Sequence, residues 1–340
     1  MSLNIGPYKL RSRLLLAPMA GITDKPYREI CQYFGAGLTY SEMISSDLSL
    51  LKTRKTQNRL LQSSEPEPRT VQILGTDPRV MAESAQFNQS IGANIIDINM
   101  GCPAKKVCSK AAGSALMKEP KLVKEILNHV VKAVSIPVTL KIRTGWETKH
   151  RNALEIAKIA EDCGISLLSI HGRTRKQAYT GFAEFETIRQ IKQEVDIPII
   201  ANGDICCAED AKFILKYTQA DGLMLGRITR GQPWIFEEIS NAINHQKNDP
   251  KHKCPISLET KKTIILKHLQ GLHKHYEDKQ AVCIARKHIG WYLSNLIDWD
   301  ENLLKSTRSE IFSITVAEKQ YQKLKEILDR FITNTPIRQY

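Results

Sequence analysis

A cysteine at position 102 lies in the short loop sequence Met100-Gly101-Cys102-Pro103, directly after an apolar run. A thiol with an ordinary pKa of about 8.5 stays protonated at neutral pH, so Cys102 could donate a proton as a general acid. A nucleophilic role would need an adjacent base, and none stands at helical or loop spacing from it. A lone cysteine is also a common packing residue, so packing remains the alternative.

Another apolar run ends with two cations, Lys141 and Arg143. Burying an unpaired charge in a strand is costly, so we expect Lys141 to face an electron-rich group. The alternative is a lysine that extends from the strand end to solvent. His171 closes a further apolar run and is either a core histidine satisfied by a backbone hydrogen bond or a ligand contact.

The segments Asn202-Gly203-Asp204 and Gly226-Arg227 indicate an anion site. Glycine has no Cβ, so backbone N–H groups beside it can approach a phosphate closely. Each glycine alone could equally serve a tight turn. Together with the cation of Arg227 they favour a phosphate.

Eight short β-rich runs separated by helical segments carry these residues, which is typical of repeated βα units and a parallel sheet. The runs are residues 14–17, 38–42, 70–74, 95–99, 138–142, 167–171, 197–201 and 222–226. Eight units predict an α/β fold, a closed TIM (β/α)8 barrel with its chemistry at the carboxyl ends of the strands. A doubly wound open sheet is the rival fold, but the GxGxxG turn expected after its first strand is missing.

In such a barrel the residues named above would share one mouth with residues of the first and third strands and with the end of the fourth. Pro18, Met19 and Ala20 follow the first strand, Gln72 lies in the third, and Asn99 ends the fourth. We expect all of them to converge on one site.

The sequence pattern changes near residue 245. Residues 245–257 are polar, proline-bearing and rich in cations, which predicts a linker between a barrel domain of residues 1–244 and a C-terminal domain of residues 258–340. In the C-terminal domain Ile265, Leu269 and Leu272 share one helical face, and Leu324 and Leu328 lie on another, which predicts a small helical bundle.

The chain of 340 residues has a formal net charge of +13, and from residue 245 onward 17 Lys and Arg stand against 11 Asp and Glu. Such a surplus attracts polyanions such as nucleic acid, although solvated helix faces would give the same count.

Other features of the composition exclude several classes of protein. The eight cysteines are scattered without CxxC pairs, so neither a disulfide framework nor a metal site is indicated. No eighteen uncharged apolar residues occur together, so no membrane span is expected. The apolar run at residues 14–20 contains a proline and follows three cations, so we interpret it as a buried strand rather than a signal sequence and expect a cytoplasmic location.

Seven motifs together resemble the tRNA-dihydrouridine synthase family. They are APMAGITDKPYR (17–28), INMGCPAKKV (98–107), TLKIRTGW (139–146), IHGRTR (170–175), ANGDI (201–205), LGRITRGQPW (225–234) and ARKHIGWYL (285–293). The last of them is similar to the C-terminal helical domain of the bacterial B subgroup. The resemblance extends over nearly the whole chain and implies an FMN-binding TIM barrel with a helical RNA-recognition domain, tRNA as substrate and NADPH as electron donor.

The resemblance also implies roles for individual residues. The implied cofactor contacts are Pro18, Met19, Ala20, Gln72, Lys141, His171, Asn202, Gly203, Asp204, Gly226 and Arg227. The implied substrate contacts are Asn99 and Arg143, and the implied proton donor is Cys102. In the implied reaction, hydride passes from reduced flavin to C6 of a uracil flipped out of the tRNA, and Cys102 protonates C5 from the opposite face. The subgroup suggests uridine 17 of the D-loop.

Two other functions account for part of the sequence. A flavin-dependent reductase of a free pyrimidine, related to dihydroorotate dehydrogenases, would share the barrel, FMN and a catalytic cysteine, but it leaves the basic tail unexplained. A tRNA-binding protein that had lost catalysis would have no need of Cys102 and Lys141.

Overall fold

The structure is a computed structural model that describes residues 3–61, 64–244, 256–296 and 300–334. Its strands are β1 (Asn4–Ile5), β2 (Tyr8–Lys9), β3 (Leu14–Leu16), β4 (Leu38–Thr39), β5 (Ile44–Ser45), β6 (Thr70–Leu74), β7 (Ile95–Met100), β8 (Val138–Arg143), β9 (Leu167–His171), β10 (Ile199–Asn202) and β11 (Gly222–Leu225). Its α-helices are α1 (Lys25–Tyr33), α2 (Arg54–Gln57), α3 (Pro78–Ser90), α4 (Lys105–Cys108), α5 (Pro120–Ala133), α6 (Ala153–Asp162), α7 (Glu186–Glu194), α8 (Ala208–Thr218), α9 (Ile235–Asn244), α10 (Leu258–His275), α11 (Asp278–Leu296), α12 (Glu301–Ser313) and α13 (Ala317–Asn334).

Nine strands form one parallel sheet that closes on itself. Their order is β4-β3-β11-β10-β9-β8-β7-β6-β5. Tyr40, just after β4, forms a parallel bridge with Thr70 at the start of β6, so the two ends of the sheet meet. Helices alternate with the strands, and the predicted TIM barrel is confirmed.

The predicted second strand, residues 38–42, is interrupted in the structure. β4 ends at Thr39, and β5 resumes the ladder at Ile44. Between them the hydroxyl of Ser41 accepts a hydrogen bond of 3.0 Å from the backbone N–H of Gln72, where a strand carbonyl would otherwise accept. A side chain therefore continues the ladder at this point. Met43, in the segment between β4 and β5, lines the cavity described below.

The amino-terminal end of the barrel interior is apolar. Alternate side chains of a strand enter the barrel, and Ile95, Leu167 and Ile200 form a buried cluster there. Leu3 and Ile5 of the β1–β2 hairpin belong to the same cluster. The hairpin therefore closes this end of the barrel.

Toward the carboxyl ends of the strands the inward positions become polar. Asp97 and Asn99 stand two and four residues after the apolar start of β7. In the register of the sheet Asn99 is paired with Lys141 of β8. The interior of the barrel is therefore apolar at its amino-terminal end and polar at its mouth. Because every second residue of a strand faces inward, the same strand supplies side chains to both layers.

Helix boundaries follow capping signals in the sequence. The side chain of Asp24 accepts from the backbone N–H of Tyr27, and a proline stands in the first turn of α1. Asp77 accepts from two backbone N–H groups at the start of α3, and Ser257 accepts from the N–H of Thr260 at the start of α10. The first two caps fix where the chain leaves the loops after β3 and β6.

Helices α10 to α13 pack on one another, and α10 also packs on α1 of the barrel. Ile265, Leu269 and Leu272 of α10 and Leu324 and Leu328 of α13 are buried, as their spacing predicts. The predicted linker, residues 245–257, lies outside the described residues up to 255. The domain boundaries therefore stay a prediction.

None of the helices within the described ranges is long and apolar enough to cross a membrane. Within the same ranges no group of three or more His, Cys, Asp or Glu side chains could hold a metal ion.

Candidate active site

A cavity of about 1070 Å³ opens at the carboxyl ends of the barrel strands. Every residue that the sequence predicted for the site lines it: Pro18, Met19, Ala20, Gln72, Asn99, Cys102, Lys141, Arg143, His171, Asn202, Gly203, Asp204, Gly226 and Arg227. The structure therefore brings the whole predicted set together, while the role of each member stays a prediction.

A chain of hydrogen bonds runs from the barrel interior to the loop of Cys102. Nε2 of Gln72 donates to Oδ2 of Asp97 at 2.7 Å, and Oε1 of Gln72 accepts from Nδ2 of Asn99 at 2.7 Å. Oδ1 of Asn99 accepts from the backbone N–H groups of Gly101 at 3.2 Å and Cys102 at 3.0 Å. Because an ionised carboxylate accepts at both oxygens, Asp97 sets the orientation of both carboxamides.

Asp97 itself was missed in the sequence analysis. It is fully buried, and the hydroxyl of Thr139 donates to its Oδ1 at 2.6 Å. Burial raises the pKa of Asp97 to about 6, against the hydrogen bonds from Thr139 and Gln72. The criterion that selected Lys141, a charge inside an apolar run, would also have selected this residue.

Lys141 is a buried cation that contacts a neutral partner. It is 9% exposed, and its Nζ donates to Oδ1 of Asn202 at 3.1 Å. Nδ2 of Asn202 donates in turn to the carbonyl of Met224 at 2.8 Å, which fixes its amide. Burial, and after it the charge of Arg143, lowers the pKa of Lys141 to about 8. Such a cation suits an anionic or electron-rich ligand.

Cys102 reaches the cavity from the loop after β7. Burial raises the pKa of its thiol, so the thiol is protonated at neutral pH, as a proton donor requires. Its carbonyl accepts from Oγ of Ser114 at 2.8 Å, and Sγ of Cys108 contacts the same oxygen at 3.6 Å. Ser114 and Cys108, which do not line the cavity, therefore hold the Cys102 loop through its backbone.

Arg143 braces two loops around the mouth. Its Nε donates to the carbonyl of Gly101 at 2.8 Å, and its Nη1 donates to the carbonyls of Thr174 at 3.0 Å and Ala178 at 2.9 Å. The guanidinium lies 5.6 Å from the ring centre of Tyr179. Burial lowers the pKa of Arg143 to about 10, so the side chain keeps its charge at neutral pH.

The segments after β10 and β11 meet at two arginines. The carboxylate of Asp204 accepts from Nη2 of Arg173 at 2.7 Å, from Nη2 of Arg227 at 3.2 Å and from the N–H of Ala183 at 2.7 Å. Burial opposes ionisation, but the hydrogen bonds from Ala183 and Arg173 and the charges of the two arginines hold the pKa of Asp204 below its usual range. The carboxylate thus orients cations, and an anion in this corner would be bound by Arg227 and backbone N–H groups.

Glycine is required at position 203. Its φ is +130°, and a Cβ there would stand 2.7 Å from Cβ of Ala183 and 3.1 Å from Cδ2 of His171. Burial, and then the charge of Lys141, lowers the pKa of His171 well below its ordinary value. His171 is therefore a neutral hydrogen-bonding group beside the arginine corner.

Three further contributors to the site are absent from the sequence predictions. Met43 comes from the interrupted second strand, and Tyr179 stands in the middle of the loop after β9. Arg173, which orients Asp204, lies in the IHGRTR motif but was not singled out. Only the folded loop shows these contacts.

Another wall of the cavity is the loop between β3 and α1, which contributes Pro18, Met19, Ala20 and Ile22. Between the last two, the N–H of Gly21 donates to the carboxylate of Glu42, and its carbonyl accepts from Nζ of Lys287 in α11. The wall is therefore tied to the C-terminal helices.

The family model described as dihydrouridine synthase matches residues 15–332. The tRNA-dihydrouridine synthase B of Pseudomonas syringae pv. tomato is 54% identical over 295 residues, which cover 87% of this chain and 86% of that protein. The protein of the same name from Shewanella oneidensis is 48% identical over 332 residues, which cover 98% of this chain and 100% of that protein. Histamine dehydrogenase from Rhizobium sp. 4-9 shares the fold alone, with a TM-score of 0.52 at 12% identity over 71% of this chain and 47% of that chain. The resemblance seen in the motifs is confirmed: this chain belongs to the dihydrouridine synthase family.

Proposed function

We propose that this protein reduces a uridine of tRNA to dihydrouridine with a flavin cofactor. Relatives at 54% and 48% identity bear the name tRNA-dihydrouridine synthase B. The observation that carries the proposal is the presence in one cavity of a protonated thiol, Cys102, and a buried cation, Lys141. The thiol is a proton donor for the substrate, and the cation is a counter-charge for the cofactor.

The cavity fits FMN in size and in charge. Its volume of about 1070 Å³ is at the upper end of ligand pockets and leaves room for a nucleobase beside the ring system. Lys141 offers a cation to the ring edge, which is anionic in the reduced form, and Arg227 with the backbone at Gly203 and Gly226 offers a phosphate corner. A reduced flavin bound here supplies the hydride for C6 of the uracil.

The residues of the chain hold the base and complete the reduction. Cys102 gives its proton to C5 of the uracil, and the hydrogen bonds of Asn99 to the Cys102 loop keep the thiol in place. One N–H of Asn99 is bonded to Gln72, and the other, which faces the sulfur of Met43 at 4.0 Å, can donate to a uracil carbonyl. Asn99 therefore aligns the substrate with the proton donor.

A tRNA substrate agrees with the formal net charge of +13. A base in the cavity must be flipped out of the RNA at a cost of a few kcal/mol, which cationic contacts to phosphates can offset. We assign NADPH as the electron donor, uridine 17 as the target and the cytoplasm as the location, on the family resemblance.

The test is an NADPH-dependent assay of dihydrouridine formation on unmodified tRNA. The purified protein should show a flavin absorption spectrum, and Cys102→Ala should keep that spectrum while product formation falls by about 10² to 10⁴-fold, the usual loss when a general acid is removed. Cys283→Ala, an exposed cysteine of α11, is the matched control and should stay active.

The free-pyrimidine alternative gives a different result in the same assay. A flavin spectrum with turnover of free uridine or orotate, and none of tRNA, would refute the proposal in favour of that alternative. A colourless protein that binds tRNA would favour the non-catalytic one. Affinity for tRNA should fall steeply as salt rises from 50 to 200 mM, because counterions compete with phosphate contacts.

A further inference from the structure

Gly21 is held from two sides by charged groups of distant elements. Its N–H donates to Oε1 of Glu42, just after β4, and its carbonyl accepts from Nζ of Lys287 in α11. Gly21 has a φ of +75°, in the left-handed region that favours glycine. We call the group of Gly21, Glu42 and Lys287 the Gly21 clamp.

The two charges of the clamp are partly or fully withdrawn from solvent. Glu42 is 4% exposed and Lys287 is half-buried. Glu42 is also bonded to Nη2 of Arg59 at 2.9 Å, and the hydroxyl of Tyr276 donates to Oδ2 of Asp24 at 3.1 Å. Burying charge is costly unless it is paired, so this network holds the C-terminal helices against the loop.

The loop on which the clamp acts is a compact turn. The N–H groups of Ile22 and Thr23 both donate to the carbonyl of Met19 at 3.0 Å, and the N–H of Met19 donates to Oγ1 of Thr23 at 3.0 Å. Ala20 and Ile22, the neighbours of Gly21, line the cavity. A shift of the Gly21 peptide therefore moves the cavity wall.

We propose that Lys287 is a positioning residue of the cofactor site: by binding the Gly21 carbonyl from α11, it fixes the wall formed by residues 18–22. The C-terminal bundle is thereby part of the site. The identity of the occupant as a flavin rests on the proposed function, whereas the clamp itself does not.

The first test is hydrogen exchange of the full-length protein, which needs neither flavin turnover nor RNA. In Lys287→Met the backbone amides of residues 19–24 should exchange about tenfold faster than in the wild type, since one charged hydrogen bond to this loop is lost. Lys287→Arg should restore slow exchange. Lys279→Met, an exposed lysine of the same helix, is the matched control, and α5 should exchange equally in all variants.

The second test is the dissociation constant of FMN from the holoenzyme. Lys287→Met should weaken FMN binding about tenfold, Lys287→Arg should recover it, and Lys279→Met should not change it. Glu42→Gln should have a similar effect, and the double variant should lose less than the sum, because both side chains act on one peptide.

Equal exchange in Lys287→Met and wild type would overturn the clamp, and faster exchange with unchanged FMN affinity would overturn its role in the cofactor site. A wild-type protein that binds FMN but forms no dihydrouridine would refute the proposed function and leave this inference intact.

Discussion

Replacing Asp97 by asparagine should make the protein more stable at neutral and alkaline pH. Asp97 is fully buried, and burial raises its pKa to about 6. An asparagine has the same shape, so its Oδ1 can accept from Gln72 and its Nδ2 can donate to the Thr139 hydroxyl, which is both donor and acceptor. The variant removes a buried charge and keeps the hydrogen bonds toward Asn99.

The magnitude follows from the difference between the pKa in the folded chain and in the unfolded chain. Because the folded pKa of Asp97 is about 6 and the ordinary value is 3.8, the folded state holds this proton more tightly. The stability that Asp97 contributes is therefore present below pH 4 and is lost as the pH rises through 6. At about 1.4 kcal/mol per pH unit, the loss is about 3 kcal/mol by pH 8.

The assay is the difference in free energy of unfolding between Asp97→Asn and wild type, measured by urea denaturation from pH 8 to pH 5. The advantage of the variant should shrink by about half over this range, because roughly half of the proton linkage is complete at pH 5. Asp196→Asn, an exposed aspartate, is the control and should show no such trend. A difference for Asp97→Asn that is constant with pH, or grows toward acid pH, would refute the reasoning.

Two further predictions concern the cations of the cavity. Arg227→Ala should reduce the ratio of FMN to riboflavin affinity about tenfold, because a charged hydrogen bond to the phosphate is lost, and Arg79→Ala on the exposed face of α3 should leave that ratio unchanged. FMN should bind more weakly at pH 9 than at pH 7, because Lys141 has a pKa of about 8 and loses its charge over this range. Lys141→Arg keeps the charge and should remove most of this pH dependence, so an unchanged dependence in that variant would count against Lys141 as the cation.

The sequence predicted the barrel because each strand is an apolar run with a clear end. The third and sixth runs, 70–74 and 167–171, coincide with β6 and β9. The seventh was placed two residues early: β10 begins at Ile199, since Pro198 has no N–H to give to the ladder. The second run, 38–42, is a strand only in part: β4 ends at Thr39, and the Ser41 hydroxyl then accepts where a ladder carbonyl would, which no local pattern signals.

The site was predictable to the extent that topology alone brings strand ends together. Cys102, Lys141 and Arg227 could be placed at one mouth without knowing any contact between them. The contact between Lys287 and Gly21 could not be predicted in this way. Lys287 is 266 residues away in the chain and reaches the loop only after the C-terminal helices pack on the barrel. Local spacing carries no information about such a contact.

The two buried cations of the cavity cost the folded protein stability, and the proposed anionic cofactor gives a reason for them. Burial and neighbouring charges lower the pKa values of Lys141 and Arg143, which means that both cations destabilise the folded protein relative to solvated ones. Neutral residues at these positions would remove that cost but would also remove two of the cations that line the cavity. An anionic cofactor of the kind proposed would relieve the repulsion between these cations without rearrangement, because Asn202 and the carbonyls around Arg143 already fix their positions. The same residues that destabilise the free protein would therefore stabilise the proposed complex with the cofactor.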